Sequence, residues 1–237
     1  MTIKTIAALF LAASMIASCA GGGKHDNQLT DEEKKEGWAL LFDGVSMKGW
    51  HLYNGYKSAT WSVKDGELVC GPDKRLEHGD LVTDKDFSNY DLRFDWKINK
   101  EGNSGVFIDV QERPDIPATY ASAPEYQILE VSHVDYADPL KRTGVIFDLT
   151  RQMNPVNQRP AGEWNESRIV QQNGRVEFYL NGVLTTQQDF RSAAWTDSVA
   201  RTHFNKYPEF GKHVSGHIAL QDWFKAVSFK NMRIREL

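Results

Sequence analysis

The segment PEYQILE, residues 124–130, places carboxyl groups inside what is otherwise the pattern of a buried strand. Side chains alternate between the two faces of a strand, so Glu125 and Gln127 point to one face and the apolar residues between them to the other. Glu130 falls on the apolar face, where an unpaired charge is costly. We therefore expect either that the strand ends before Glu130 or that a β-bulge returns Glu130 to the side of Glu125.

A bulge would suit Glu125 and Glu130 to paired-carboxylate chemistry. Five residues of strand separate their Cα atoms by about 16 Å, and absorbing one residue leaves about 13 Å. Side chains that lean together would then approach the roughly 5–5.5 Å separation of a retaining glycosidase pair. The spacing resembles the E-x-D-x-x-E motif of laminarinase-type β-glucanases, but Gln127 stands in place of the middle acid. That exchange removes a carboxylate that would tune the pKa values of its neighbours.

Other polar residues lie in strand patterns elsewhere in the chain. If the wet face of one sheet lines a groove, these side chains converge there, and Trp223 or Trp195 supplies a platform on which a sugar ring stacks. Otherwise they are solvated residues with ordinary salt bridges. The candidates for substrate binding are Asp109 in SGVFIDV, Glu163 and Asn165 in GEWN, and Gln221 and Trp223 in ALQDW, where Asp222 is a further acid.

Several function classes lack their signatures in this sequence. It contains no P-loop, dinucleotide fingerprint, nucleophile elbow or HExxH helix. His213 and His217 in HVSGH are four residues apart, but Gly and Ser in a strand-rich region do not place them on one helical face, so we predict no metal site there. The formal net charge is −4 without a basic run, which makes nucleic acid a poor candidate as a partner.

Strand patterns dominate the chain. YDLRFDWKI, residues 90–98, alternates strictly between apolar and charged residues, as antiparallel strands with one wet side do. Asp65-Gly66, Asn173-Gly174 and Asn181-Gly182 each predict a two-residue hairpin turn. Further strands are expected near 39–42, 104–110, 144–148, 164–171, 216–221 and 226–235, the last with a slip or bulge near Lys230 and Asn231. The pattern predicts an all-β fold, a two-sheet antiparallel jelly-roll sandwich.

Helical patterns are confined to LTDEEKKEG, where Thr30 is the expected N-cap and Gly37 the stop. Before it, Lys4, an apolar run over 6–16 and the sequence IASC resemble a bacterial lipobox, with Cys19 as the lipid-bearing first residue of the mature protein. An ordinary signal peptide is the alternative. The expected organisation is a signal segment over 1–19, a tether and short helix over 20–36 and a catalytic domain over 37–237, exported and held by the lipid at the periplasmic or surface side of the outer membrane. Cys70 is then the only thiol left, so no disulfide is expected.

Eight segments in order resemble the bacterial 3-keto-disaccharide hydrolase family and together cover residues 37–237. They are LLFDGVSMKGW, WSVKDGELVC, LVTDKDF, GNSGVFIDV, PEYQILE, GEWNESRIV, VEFYLNGV and HIALQDW with VSFKNMRIREL. The resemblance implies a concanavalin A-like sandwich that acts on glycosides oxidised to a ketone at carbon 3. Such a ketone acidifies the hydrogen on carbon 2, so that a base forms an enolate, the group on carbon 1 leaves by elimination, and water then adds back.

The resemblance also implies roles for the candidate residues. Glu125 is expected to be the base and Glu130 or Asp222 the acid or orienting partner. The expected hydrogen-bond donors to the sugar or enolate are Gln127, Asn165 and Gln221, and Arg142 is a further substrate contact. Trp223 stands where a family-like LQDH has histidine, which puts histidine-dependent proton transfer at that position in question.

The other components of the reaction are less defined by the sequence. A divalent cation that polarises the ketone is left open, and the functional partner would be a sugar 3-dehydrogenase that makes the ketone. Two other functions are weighed: a classical glycosidase that uses Glu125 and Glu130, and a carbohydrate-binding lipoprotein without catalysis.

Overall fold

Two antiparallel β-sheets packed face to face make up the protein, as seen in a computed structural model that describes residues 26–57, 59–71, 77–223 and 225–237. The strands are β1 Ala39–Leu40, β2 Trp50–Leu52, β3 Trp61–Lys64, β4 Glu67–Cys70, β5 Leu81–Thr83, β6 Tyr90–Ile98, β7 Asn103–Val110, β8 Glu125–Leu129, β9 Asn165–Gln172, β10 Arg175–Leu180, β11 Val183–Asp189, β12 His217–Leu220 and β13 Val227–Glu236. The helices are α1 Asp31–Lys35 and α2 Ala193–Ala200, with short 3-10 segments at Tyr53–Gly55, Thr119–Ala121, Val134–Ala137 and His203–Lys206. The expected all-β jelly-roll sandwich is confirmed.

The eight-stranded sheet has the order β11-β10-β9-β6-β13-β4-β3, with β1 paired to β13. The five-stranded sheet has the order β2-β5-β12-β7-β8. Some neighbouring strands are consecutive hairpins, but others pair across large sequence separations; β12, for example, runs between β5 and β7. The second sheet therefore brings residues near 80, 105, 127 and 221 side by side.

The core fills the space between the sheets. From the eight-stranded sheet, β6 contributes Leu92, Phe94 and Trp96, all fully buried. From the other sheet, β8 contributes Tyr126 and Ile128, and the ring of Tyr126 packs edge-on against Phe94 at 5.8 Å between centroids. Each such side chain contributes roughly 1.5–3 kcal/mol on burial. Because Tyr126 and Ile128 face inward, strand alternation turns their neighbours Glu125 and Gln127 to the outer face of the five-stranded sheet.

The predicted local signals are confirmed at several points. The three hairpin turns at Asp65, Asn173 and Asn181 all have positive φ, followed in each case by a glycine with positive φ. Thr30 caps α1 through a reciprocal capping box with Glu33. The slip predicted in the last strand is present as a register shift between Lys230 and Arg233.

Two predictions about elements were wrong. Residues 144–148 do not form a strand; Ile146 makes an isolated bridge to Tyr126, and the segment makes backbone hydrogen bonds to Glu125 and Gln127 of β8. Gly144 and Asp148 both have positive φ, 80° and 57°, which interrupts the extended backbone at each end. Helix α2 was also not predicted from the sequence, although Ser192 is a recognisable N-cap and accepts a hydrogen bond from Trp195 N at 3.1 Å.

The described chain begins on the eight-stranded sheet. Asn27 N donates to Oδ1 of Asn231 at 2.7 Å and Asn231 N donates to Oδ1 of Asn27 at 2.8 Å, while Lys230 pairs with Asp26 at 2.8 Å. Over the residues described, no helix is long and apolar enough to cross a membrane. Cys19 and the lipobox lie outside the described residues.

Candidate active site

A groove with two lobes lies on the outer face of the five-stranded sheet. The larger one, which we call the Glu125 lobe, has a volume of about 310 Å³. The smaller one, the His78 lobe, has about 240 Å³. Both are lined by Tyr120, Gln221 and Trp223, so they are two halves of one groove. Of the residues singled out from the sequence, the groove brings together Glu125, Gln127, Gln221, Asp222 and Trp223.

Glu125 lies on the floor of its lobe. Its side chain extends from β8 over Gly105 of the neighbouring strand β7, so closely that a Cβ atom added at Gly105 would lie 2.0 Å from Oε1. The residue is only 8% exposed. In the described part of the chain, no hydrogen-bond partner reaches Oε1. A buried carboxyl oxygen without a partner requires an explanation, and in a cavity an interaction with a ligand is one.

The environment of Glu125 favours its protonated form. Burial raises the pKa of this carboxyl well above its ordinary value, and the negative charges of Asp80 and Asp148 raise it further. A carboxylate formed here lacks the solvation that normally weakens it as a base. Glu125 is therefore suited to take up a proton from a weakly acidic group.

Amide groups of the Glu125 lobe are aligned by one another. Nε2 of Gln127 donates to Oδ1 of Asn103 at 3.1 Å, which leaves Oε1 of Gln127 turned elsewhere. Among the described residues, Oε1 of Gln127 and Oε1 of Gln221 have no hydrogen-bond partner. These oxygens can accept hydrogen bonds from ligand hydroxyl groups. Gln127 is thus arranged as an acceptor, whereas the sequence predicted a donor.

His78 and Asp222 form a bonded pair beside the second lobe. Nδ1 of His78 lies 2.8 Å from Oδ1 of Asp222, whose other oxygen accepts from Thr60 Oγ1 at 2.5 Å and from Gly79 N at 3.3 Å. A carboxylate only accepts, so Nδ1 of His78 carries a proton. The Asp222 side chain itself is fully buried, and the His78 side chain is 17% exposed. Asp222 is thus an orienting residue for the imidazole.

Asp80 completes the network under the His78 lobe. Its carboxyl accepts from Thr119 Oγ1 and from the backbone N of Asp222, the latter at 2.9 Å. Burial raises the pKa of Asp80 to about 6, partly opposed by these two hydrogen bonds. Because both oxygens are occupied, Asp80 fixes the position of the chain at Asp222.

Aromatic rings flank the groove. Trp223 and Tyr120 are 49% and 43% exposed although both are large apolar side chains, and both line the two lobes. Tyr120 is held by an edge-on contact with Tyr207 at 5.7 Å between centroids. Exposed rings of this kind stack on the apolar faces of sugars. Trp195, the other expected platform, is instead buried in the core at 1% exposure and donates from Nε1 to Gly211 O at 2.7 Å.

The position of Glu130 differs from the bulge expectation. The β7–β8 register is continuous to Leu129, where the strand ends, so no bulge brings Glu130 toward Glu125. Oε2 of Glu130 accepts from Glu101 N at 2.8 Å, from Ser132 N at 3.0 Å and from Ser132 Oγ. Although burial opposes ionisation, these hydrogen bonds lower the pKa of Glu130. The Ser132 hydroxyl and the two backbone donors therefore explain this buried charge, and Glu130 lines neither lobe of the described groove.

Asp109 faces the core. A register shift between β7 and β12 sets two residues of β7 opposite one of β12, and Asp109 has φ of 62° at this bulge. Its Oδ1 accepts from Gln171 Nε2 at 2.7 Å in the space between the sheets. Burial raises the pKa of Asp109 to about 8, partly opposed by that hydrogen bond. The expectation that Asp109 binds substrate was wrong because the bulge reverses its direction.

Three further sequence candidates lie away from both described lobes. Asn165 is buried in β9 and accepts from Arg159 N at 2.8 Å and from Asn181 Nδ2 at 2.9 Å, which is a role in loop positioning. Glu163 is exposed in a turn of the same loop. Arg142 donates to Tyr136 O at 3.3 Å and stacks on the Tyr136 ring. None of the three belongs to the groove described here.

Several residues of the groove were not predicted from the sequence, among them His78, Asp80, Tyr120, His203, Lys206 and Tyr207. His78 and Asp80 immediately precede the apolar segment LVT of β5, and polar residues at the end of a strand are a usable signal. Within the described residues, no three His, Cys, Asp or Glu side chains are grouped to hold a metal ion.

The sandwich fold and the groove together define a glycoside hydrolase-like enzyme. Residues 37–235 match the family described as the 3-keto-alpha-glucoside-1,2-lyase-like domain, and the chain belongs to that family. A 3-keto-disaccharide hydrolase of Bacteroides thetaiotaomicron is 27% identical over 279 aligned positions, which cover 96% of each protein. The family resemblance expected from the sequence is thereby confirmed.

Two solved structures from Parabacteroides distasonis ATCC 8503 share the fold. One candidate glycosyl hydrolase is 33% identical and superimposes with a TM-score of 0.82 over 90% of this chain and 100% of its own. A second is 23% identical, with a TM-score of 0.65 over 84% of this chain and 99% of its own. The first supports the enzyme class, and the second supports the fold alone.

Proposed function

We propose that this enzyme cleaves glycosides whose sugar carries a ketone at carbon 3, by elimination followed by hydration. The observation that carries the proposal is Glu125, a buried carboxyl of raised pKa with an unpartnered Oε1, on the floor of a groove flanked by exposed aromatic rings. One such carboxyl is what proton abstraction beside a ketone requires. Displacement at carbon 1 by a carboxylate pair would require a second acid in the lobe, and Glu130 lies elsewhere, held by backbone donors.

Glu125 is proposed as the base that removes the hydrogen on carbon 2. Its carboxylate takes the proton, and the electron pair of the broken bond forms an enolate with the ketone oxygen. When the enolate collapses, a double bond forms between carbons 1 and 2 and the bond from carbon 1 to the leaving oxygen breaks. Water then adds its hydroxyl to carbon 1, and Glu125 returns its proton to carbon 2. The sum is hydrolysis, with Glu125 regenerated.

The other groups of the Glu125 lobe bind the sugar and its developing charge. The amide oxygens of Gln127 and Gln221 accept from sugar hydroxyls, which would relieve two buried and unpartnered atoms. Lys206 lines the same lobe, and its ammonium is the proposed stabiliser of the enolate oxygen. Trp223 at the junction of the lobes is the proposed stacking platform.

Purified protein that lacks residues 1–19 should be incubated with one disaccharide in two forms, native and oxidised at carbon 3. We expect release of the second sugar from the keto form only. In heavy water, deuterium should enter carbon 2 of the keto sugar. Glu125→Gln should abolish both exchange and release, and Glu130→Gln is the matched control, a carboxyl exchanged for an amide outside the groove.

Other outcomes would select other functions. Cleavage of the native disaccharide would support a conventional glycosidase mechanism instead. Binding of either form without cleavage would support the non-catalytic carbohydrate-binding function, and turnover that survives Glu125→Gln would remove Glu125 as the base.

The proposed substrate requires a source, because native glycosides carry a hydroxyl at carbon 3. A sugar 3-dehydrogenase is the proposed functional partner. We also propose that Cys19 carries a lipid that holds the enzyme at the periplasmic or surface side of the outer membrane. Partition of full-length protein into detergent, lost in Cys19→Ser, tests the anchor.

A further inference from the structure

The His78 lobe has chemistry that the Glu125 reaction does not use. Its described lining includes an imidazole, two carboxyl groups and the exposed ring of Tyr56. It joins the Glu125 lobe at Tyr120, Gln221 and Trp223. If a disaccharide places its keto sugar over Glu125, its glycosidic oxygen would lie at this junction. Its second sugar would then lie in the His78 lobe.

The ring of His78 is positioned as catalytic histidines are. Nδ1 is bonded at 2.8 Å to Asp222, and Asp222 is held in turn by Thr60, by the backbone of Gly79 and, through its own backbone N, by Asp80. This fixes both the orientation of the ring and the nitrogen that keeps its proton. Nε2 is therefore the ring nitrogen that exchanges a proton with a ligand.

We infer that the His78 lobe binds the leaving group, and that His78 is the general acid that protonates the departing oxygen, with Asp222 as its positioning residue. The inference rests on the proposed elimination and adds the destination of the leaving group. As the bond from carbon 1 to oxygen breaks, the proton on Nε2 passes to that oxygen and an alcohol departs. In the hydration step, Nε2 takes a proton from the water that adds to carbon 1, which restores the acid.

The chemical class of the leaving group follows from the lining. Exposed rings of Tyr56, Tyr120 and Trp223 surround hydrogen-bonding groups, as expected for a second sugar or another hydroxylated ring. Such alcohols are poor leaving groups and need a proton as they depart. The preferred substrates are therefore disaccharides and other glycosides with hydroxylated cyclic aglycones.

Two 3-keto-glucosides with different leaving groups test this role. One carries a second sugar, and the other carries 4-nitrophenolate, which departs without a proton. We expect His78→Ala to lower kcat about 10²- to 10⁴-fold for the disaccharide and only a few-fold for the nitrophenyl glucoside. Added imidazole should restore part of the disaccharide activity. His51→Ala, which removes a histidine outside both described lobes, is the matched control.

The positioning role of Asp222 has its own readout. Asp222→Asn should reproduce the dependence on leaving group in weaker form, while His78→Asn, which keeps a donor toward Asp222, should preserve the fold and lose the acid. Equal losses for both substrates in the His78 variants, or no loss for the disaccharide, would overturn the assignment. If the unmodified enzyme cleaves neither keto substrate, the proposed elimination mechanism is rejected, and the proposed role of His78 is rejected with it.

Discussion

The carboxyl group of Glu125 lies directly over Gly105 of the neighbouring strand, so that Gly105 is the residue that makes room for it. A Cβ atom at position 105 would lie 2.0 Å from Oε1 and 2.6 Å from both Cδ and Cγ of Glu125. Gly105 pairs in register with Gln127 and lies in regular strand, where alanine is acceptable to the backbone. The glycine is thus required by the position of the side chain and not by its own φ.

Gly105→Ala should displace the Glu125 carboxyl while leaving the sandwich folded. We expect kcat to fall about 10²-fold, since a displacement of about 1 Å in a reacting group has that effect. The measurement is the rate of carbon-2 deuterium exchange together with product release. In the double variant Gly105→Ala/Glu125→Gln, the loss should be no larger than in Glu125→Gln alone, because both changes act on one group. Additive losses would contradict this relationship.

The pH profile should report the raised pKa of Glu125. A base must be deprotonated, so kcat/KM should be low in acid and rise with pH through a pKa above the ordinary value of 4.5. The carboxylate of Asp148 contributes to that shift by repulsion. Asp148→Asn should therefore move the rise to lower pH. Asp138→Asn, which removes an acid that does not act on Glu125, should leave the rise in place.

Trp223→Ala should weaken substrate binding more than it slows the chemistry. Stacking of an aromatic ring is worth about 1 kcal/mol beyond area burial, so we expect KM to rise at least about five-fold, with kcat changed less. Trp223→Phe keeps a ring and should recover most of the affinity. Met153→Ala, which removes another exposed apolar side chain far along the chain, should leave KM unchanged. An unaltered KM in Trp223→Ala would remove this ring from the binding site.

The sequence identifies the strands and the direction of Glu125 and Gln127 because alternation in β8 is a local property. It cannot identify His78 as the partner of Asp222, since 144 positions separate them and only the pairing of β5 with β12 brings them together. The predicted direction of the Asp109 side chain was wrong for a related reason. Its bulge is defined against β12, so the sequence of β7 alone shows an ordinary alternating residue.

Glu130 illustrates a different limit. The sequence correctly marks a buried carboxylate as exceptional, but two of the three groups that solvate it are backbone N–H donors at Glu101 and Ser132, which every sequence supplies; the third is the Ser132 hydroxyl. Patterns of side chains carry no record of such donors. The choice between a bulge and a strand end therefore required the structure, which ends β8 at Leu129.

Glu130→Gln should lower stability without affecting catalysis. The variant loses the charge that strengthens hydrogen bonds from Glu101 N and Ser132, at a cost of about 1–2 kcal/mol. Since the folded-state pKa of Glu130 is lowered, this stabilisation is present above the ordinary value of 4.5 and is lost as pH falls through the folded pKa. Denaturant unfolding as a function of pH should show the full difference from the parent at pH 7 and a difference that shrinks as the pH falls below 4.5. A large loss of kcat with unchanged stability would instead show that Glu130 takes part in catalysis.

Asp109→Asn should make the protein more stable at pH 8 than its parent. The pKa of Asp109 is raised by burial from 3.8 to about 8, so the folded state holds a proton that the unfolded chain releases above about pH 4. The stability of the parent therefore falls as pH rises across the window from about 4 to about 8, and asparagine removes this titration. Between pH 5 and pH 8, the parent should lose on the order of 3 kcal/mol relative to the variant. Parallel unfolding curves at both pH values would show that Asp109 is ionised in the folded protein and that its contact with Gln171 is a charged one.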